Sequence, residues 1–427
     1  MTALVGILNK RAAVMAADSA ITVTNEKISK TYNTGEKLFR LSNHSVGVMI
    51  YSSVEFMKTP WDIIIKLYRA KNGNKEFKTL REYVDCFLDF IHEEDYFSSA
   101  EDQYDYLLDE LSEYYHAIRD YAVDEARKEL QSLGEDAEVD EIELLRKHLT
   151  DAFETMNSVS KDAGESPQFE KYSLNKFELI CKDLFDSKLV EALNEDGLPA
   201  DMLDDWKDGF YNYICSNYFL RSTGLVFVGY GAKDIYPSLL PIRISGAFDH
   251  RLRYSMDEEE KITNDNSASI YPFAQTDVIH SLLKGISPRV REFVDDGHEA
   301  SLEKAKNKMI EAMRAEGVSE EVLAKMNEVD FDDIQEDYEE TLSEQIREKS
   351  ISGVVDAVES YNIEDMAKMA ESLISVTNLH RHFSSSEESV GGPVDVAVIT
   401  KTEGFVWVKR KQWFDARLNP QMGKYEE

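Results

Sequence analysis

The sequence predicts one fold of mixed strands and helices, interrupted by two large helical additions. Strand-like apolar runs separated by polar turns fill residues 1–53, return over 224–270 and close the chain from 394. Helical spacing dominates the stretches between them. The two longest helical stretches, about 97–217 and 289–352, are charged and fall between complete groups of strands, as insertions do.

The elements follow in order. Residues 3–8 and 12–17 are apolar runs split by Asn9-Lys10-Arg11, the pattern of a β-hairpin. A polar stretch, 24–30, precedes short strands around Leu38-Phe39 and over 46–51. From Val54 to about Ala70 the period becomes helical, with Phe56, Ile63, Ile64, Leu67 and Tyr68 on one face. A second helix over 79–92 follows the turn Asn72-Gly73-Asn74. The 97–217 stretch reads as tyrosine-rich helices broken at 134–136 and 164–167. Strands resume over 224–231, 239–246 and near Ser269-Ile270, and a helix is expected from near Phe273. A charged helical stretch spans 289–350, with an acidic run at 330–340. A helix over 363–380 leads to the serine-rich loop 384–389, and a hairpin (394–400 and 405–408) closes the fold.

Charge narrows the function. Acidic residues outnumber basic ones 82 to 48, a net charge of −34 that repels nucleic-acid backbones and anionic lipid. The longest basic run is Lys409-Arg410-Lys411, so neither nucleic acid nor a membrane surface is expected as a partner. No eighteen-residue apolar run occurs, and the first residues lack the layout of a secretory signal. Cys86, Cys181 and Cys215 are sparse and odd in number, which suits structural thiols in a reducing compartment; a cytoplasmic setting is expected. No cofactor or metal is expected. Gly229-Tyr230-Gly231 lacks the helix-opening glycine of a phosphate loop, and His380-Arg381-His382 suits a helix C-terminus better than a metal.

The opening residues offer chemistry. Removal of Met1 would leave Thr2 with a hydroxyl and a free α-amine, which titrates near ~7.7–8.0 and can accept the hydroxyl proton. Such a site needs a carboxylate, a lysine and oxyanion donors. Asp18, returned by the hairpin towards Thr2, and Lys37, just ahead of the Leu38-Phe39 strand, are the candidates. By residue type alone the ordinary reading comes first, with Thr2 a strand start and Asp18 a turn residue.

The order of motifs resembles the β-type subunits of proteasomes and their bacterial relatives, which are N-terminal-nucleophile hydrolases. "TALVGILNKRAAVMAADSAIT" resembles the family's opening, "TGEKLFRLSNHSVGVMIYSS" its lysine block, "ISGAFDH" a later strand-turn, and "SVGGPVDVAVITKTEGFVWVKRK" its last loop and hairpin. Together these cover about 2–95, 222–285 and 355–411. The resemblance implies an α+β fold, a four-layer α-β-β-α sandwich with two helical insertions. Its segments would be the first half of the core (1–96), an acidic helical insertion (97–217), the core continued (218–288), a charged helical insertion (289–352) and the last part of the core (353–427). It also implies Thr2 as nucleophile, Asp18 and Lys37 as its partners, Thr22 and Met49 in substrate binding, and Tyr51 and Ser52 at the oxyanion position. The chain departs from the family there, since Tyr51 stands where a glycine is usual. Ala274-Gln275 replace a supporting serine, and Glu387 and Ser389 match a late aspartate-serine pair only loosely. The activity implied is hydrolysis of peptide bonds through an acyl-enzyme on Thr2, in a homo-oligomeric ring acting on peptide or protein substrates, with an unfoldase or other partner. A non-catalytic, proteasome-like scaffold that binds partners is the second reading.

Overall fold

The computed structural model describes residues 2–25, 28–94, 99–133, 140–197, 202–383 and 391–412. The fold mixes α-helices with antiparallel β-sheets. Strand β1 (Ala3–Asn9) returns through a tight turn into β2 (Ala13–Ala17). Asn9 builds that turn: its Oδ1 accepts from the Arg11 and Ala12 amides, and its Nδ2 donates to the Val358 carbonyl. A hairpin of β3 (Ile21–Asn25) and β4 (Ile28–Tyr32) follows, then β5 (Leu38–Arg40) and β6 (Val46–Tyr51). The two-residue strands β7 (Glu55–Phe56) and β8 (Thr59–Pro60) lead into α1 (Trp61–Asn72) and α2 (Leu80–Glu93).

The first insertion holds α3 (Ala100–Leu133), α4 (Glu141–Asp162), α5 (Leu174–Ile180), α6 (Lys182–Leu184), α7 (Val190–Glu195) and α8 (Leu203–Cys215). The sheets resume with β9 (Thr223–Gly229), β10 (Ser238–Phe248), β11 (Arg251–Met256), β12 (Glu260–Lys261) and β13 (Ala268–Ala274). Helices α9 (Asp277–Lys284), α10 (Pro288–Ala315), α11 (Glu320–Asn327), α12 (Asp332–Ile346), α13 (Ser352–Ser360) and α14 (Ile363–Phe383) precede the closing hairpin of β14 (Asp395–Thr400) and β15 (Gly404–Lys409).

Two sheets carry the core, ordered β13-β1-β2-β14-β15 and β11-β10-β9-β6-β5. Every residue of β1 is buried, because alternate side chains serve two different cores. Leu4 and Leu8 join Met15, Ala397 and Ile399 against Leu38, Met49, Val226, Val228 and Leu239 of the other sheet. Val5 and Ile7 face the other way, onto Met366, Ala370 and Ile374 of α14. Val48, Phe227 and Ile242 likewise pack on Trp61, Tyr68 and Phe87 of α1 and α2. Gly6 marks the close approach of the sheets: a Cβ there would sit 2.7 Å from Leu239 Cδ1.

The structure corrects three sequence expectations. The first helix does not begin at Val54. Met57 and Lys58 both take positive φ, closing a tight hairpin, and the helix starts after Pro60, which has no amide to pair. Its buried face is Trp61, Ile64, Ile65 and Tyr68, whereas Ile63 and Leu67 are 45% and 42% exposed. Phe273 lies in β13, which runs on because each residue of β1 has a partner as far as Ala3 and Ala274. Two further strands carry no apolar run: residues 24–25 and 28–30 of the polar stretch lie in the paired strands β3 and β4, and β11 carries two arginines.

Helix α2 opens as expected at Thr79, which accepts from the Glu82 amide. The 97–217 segment has its own apolar core, in which Tyr114, Phe153, Trp206, Phe210 and Tyr213 meet Phe248 of β10. A buried ion pair joins it to the sheet: Arg253 Nη1 of β11 donates to Glu110 of α3 at 2.9 Å. Tyr213 and Ser245 hydroxyls donate to the same carboxylate at 2.5 and 2.8 Å. Glu387 and Ser389 lie outside the described residues.

Candidate active site

The hairpin brings Asp18 back to the start of β1. Leu4 pairs with Ala17, so the next residue, Asp18, faces Ala3; its amide donates to the Ala3 carbonyl at 3.1 Å. Asp18 is fully buried and every acceptor position of its carboxylate is used. Oδ1 accepts from the Ala3 amide at 2.9 Å and from Lys37 Nζ at 2.7 Å. Oδ2 accepts from the amides of Ala20 and Gly391, each at 3.1 Å. Ser19 fastens the same loop, donating its hydroxyl to the Pro393 carbonyl at 2.6 Å.

Lys37 is 2% exposed and reaches inward from just ahead of β5, while the Ile50 amide of β6 donates to its carbonyl at 2.9 Å. Burial pulls its ammonium below the ordinary lysine range, and Asp18 opposes that shift. Among the described residues only Asp18 accepts from Lys37 Nζ, which leaves two N–H donors for a group bound in the site. Thr2 is buried just ahead of β1, and its carbonyl accepts from the Gln275 amide at 3.1 Å.

A second ion pair lies beside the first. Asp395 begins β14 opposite Ala17 and is 3% exposed; it accepts from the Lys411 amide at 2.8 Å and from Lys411 Nζ. Lys411 depresses the Lys37 pKa further, and Asp395 raises it. Sequence reasoning missed both residues. Asp395 offered a signal, a lone carboxylate inside the apolar strand "PVDVAV"; Lys411 was hidden in a short basic run.

Tyr51 ends β6 half-buried and stacks on Phe273 with ring centroids 5.9 Å apart. It pairs with Gly224, where a Cβ would come within 1.9 Å of the tyrosine ring. Burial raises the Tyr51 hydroxyl pKa, Asp257 adds to that and Arg243 opposes it. The residue after each ring, Ser52 and Ala274, has φ of 70° and 63°. Such left-handed, non-glycine backbone is strained by about 1 kcal/mol or more, and strain of this kind concentrates at functional sites. Ser52 is exposed. Met49 is fully buried between the sheets, so it reaches no open cleft. Thr22 lies on β3 opposite Thr31.

The structure thus joins Asp18 and Lys37 at the Ala3 amide, the residue next to Thr2, and sets Asp395 and Lys411 beside them. Among the described residues no three or more His, Cys, Asp or Glu side chains are grouped to hold a metal ion, and no helix is long and apolar enough to cross a membrane. No family model matches the chain, and no curated protein matches its sequence.

Proposed function

We propose that this chain is an N-terminal-nucleophile hydrolase of the proteasome β type, cleaving peptide bonds through an acyl-enzyme on Thr2. The observation that carries this reading is the carboxylate of Asp18, shared by Lys37 and the Ala3 amide at the residue next to Thr2. A buried lysine with lowered pKa, two donors unspent, is what an N-terminal threonine needs to keep its amine neutral and oriented. Once Met1 is removed, the Thr2 hydroxyl attacks the substrate carbonyl and its proton passes to the Thr2 amine. That proton then goes to the leaving amine, and water hydrolyses the ester by the reverse route.

The finer fold reading, a four-layer α-β-β-α sandwich, belongs to the same proposal. It is supported by one apolar core between the two sheets and one core between each sheet and its own helices. Assembly with further copies is supported by α12, which has no buried residue, and by Val290, Phe293 and Val294 exposed on α10. An unfoldase or similar partner would deliver protein substrates to such an assembly.

One feature favours the second reading, a non-catalytic scaffold: the Tyr51 ring stacked on Phe273 narrows the place where the family keeps a glycine. Intact-mass measurement of the native protein and labelling with a peptide epoxyketone separate the two readings. Loss of Met1 with an adduct on Thr2 supports the hydrolase. Retention of Met1 in the assembled protein leaves the scaffold.

A further inference from the structure

Away from Thr2, a cleft of about 550 Å³ opens between β5 and β15, the edge strands of the two sheets, under α1. Among the described residues its walls hold four cations, Arg40, Lys66, Arg69 and Arg410, and one carboxylate, Glu36. That balance is opposite to the −34 charge of the whole chain.

Glu36 is already shared, lying 3.3 Å from Arg410 and 3.8 Å from Lys66, and Lys66 is held more closely by Asp62 at 2.8 Å. Arg40 gives two of its five N–H donors to the carbonyls of Ser42 and Asn43, at 2.9 and 3.1 Å, and among the described residues meets no carboxylate. Among the described residues nothing forms a hydrogen bond or ion pair with the Arg69 guanidinium. Desolvation, then Arg40 and Arg410, pull Arg69 below the ordinary arginine range. Like charges gathered in a cleft repel one another, and an oxyanion relieves that repulsion while taking forked guanidinium bonds. The volume falls in the usual range for small-ligand sites, ~300–1,000 Å³. Trp407 forms part of the wall, with Arg410 over its ring at 4.8 Å.

We propose that this cleft binds a small ligand carrying two or more oxyanion groups, phosphate or carboxylate, held by Arg69 with Arg40 and Arg410. The site is separate from Thr2 and does not rest on the hydrolase reading. It does adjoin the same strand: Glu36 and Leu38 line the cleft, while Lys37 between them turns to Asp18.

The test uses the full-length protein with two probes, pyrophosphate and citrate, titrated separately by calorimetry and by tryptophan fluorescence. Saturable binding of at least one probe is expected, and the tighter of the two tells phosphate from carboxylate. Arg69→Gln and Arg410→Gln, checked for native circular dichroism, should each weaken binding at least tenfold. Trp407→Phe should abolish the fluorescence change while the heat of binding remains. Lys128→Gln, a remote exposed cation, should leave binding unchanged. The proposal is overturned if neither probe saturates, if both arginine variants bind like the parent, or if Lys128→Gln weakens binding as much as they do.

Discussion

A single oxygen of Asp18, Oδ1, holds Lys37 Nζ at 2.7 Å and the Ala3 amide at 2.9 Å. The charge of the lysine is therefore fixed against the backbone of the residue that follows Thr2. That relationship gives the first expectation. Under the hydrolase reading, Thr2→Ala should abolish hydrolysis of a fluorogenic peptide and leave the melting temperature nearly unchanged. Lys37→Ala should abolish turnover and also destabilise the fold by about 3–5 kcal/mol, because it strands a buried carboxylate. Chemical denaturation separates the two effects; a Lys37→Ala variant as stable as the parent would contradict the buried pair.

The pH profile carries a sign for each neighbour. Burial lowers the Lys37 pKa, so an activity limb governed by this lysine lies below 10.5. Asp18 and Asp395 oppose the shift, so Asp18→Asn and Asp395→Asn should each move that limb to lower pH. Lys411→Met removes a charge that lowers the value, and the limb should move up. In stability terms the unfolded chain holds the proton more tightly than the native state. Lys37 therefore penalises folding below its native pKa, and that penalty fades as pH rises towards 10.5. Rate profiles of kcat/KM for the three variants check the signs.

Tyr51 and Gly224 give a packing test. Gly224→Ala would drive a methyl into the Tyr51 ring and should destabilise by about 1–3 kcal/mol, whereas the double variant with Tyr51→Gly should recover part of that loss. Under the hydrolase reading, Tyr51→Gly alone should raise kcat/KM by opening the oxyanion position. Thermal melts and peptide hydrolysis read the two arms separately.

The first insertion is fastened by Glu110 and Arg253, 2.9 Å apart and buried. Glu110→Ala should cost about 3–5 kcal/mol, since it leaves a guanidinium without its counter-charge. It should also speed proteolysis within 97–217 before the sheets are cut. Pairing it with Arg253→Met should restore much of the loss, which a melting curve would register.

Assembly is checked by light scattering of the native protein. A defined oligomer is expected, and Phe293→Glu on the exposed face of α10 should lower its order.

Much of the fold was legible from residue patterns. Apolar runs buried on both faces located β1, β2, β6, β9 and β14, because each serves a core on either side. The helix expected over 79–92 spans Leu80–Glu93, with Thr79 as its cap. The sequence by itself also determined that Asp18 would return to the first strand, since hairpin register follows from turn length and alternation. The pairing of Asp18 with Lys37 was a sequence expectation; only the tertiary structure decided what else gathers there, the Gly391 amide on Asp18 and the Asp395–Lys411 pair beside it, from a segment at least 373 residues further on. The same holds for β11, whose Arg253 reads as a surface charge until α3 supplies Glu110. It holds too for the cleft between β5 and β15, formed where two sheet edges from opposite ends of the chain come together. Local sequence sets periodicity, turns and caps through short-range sterics and hydrogen bonds. Which charges share a buried corner depends on long-range packing, where a desolvated group is tolerated only if a distant segment brings its partner.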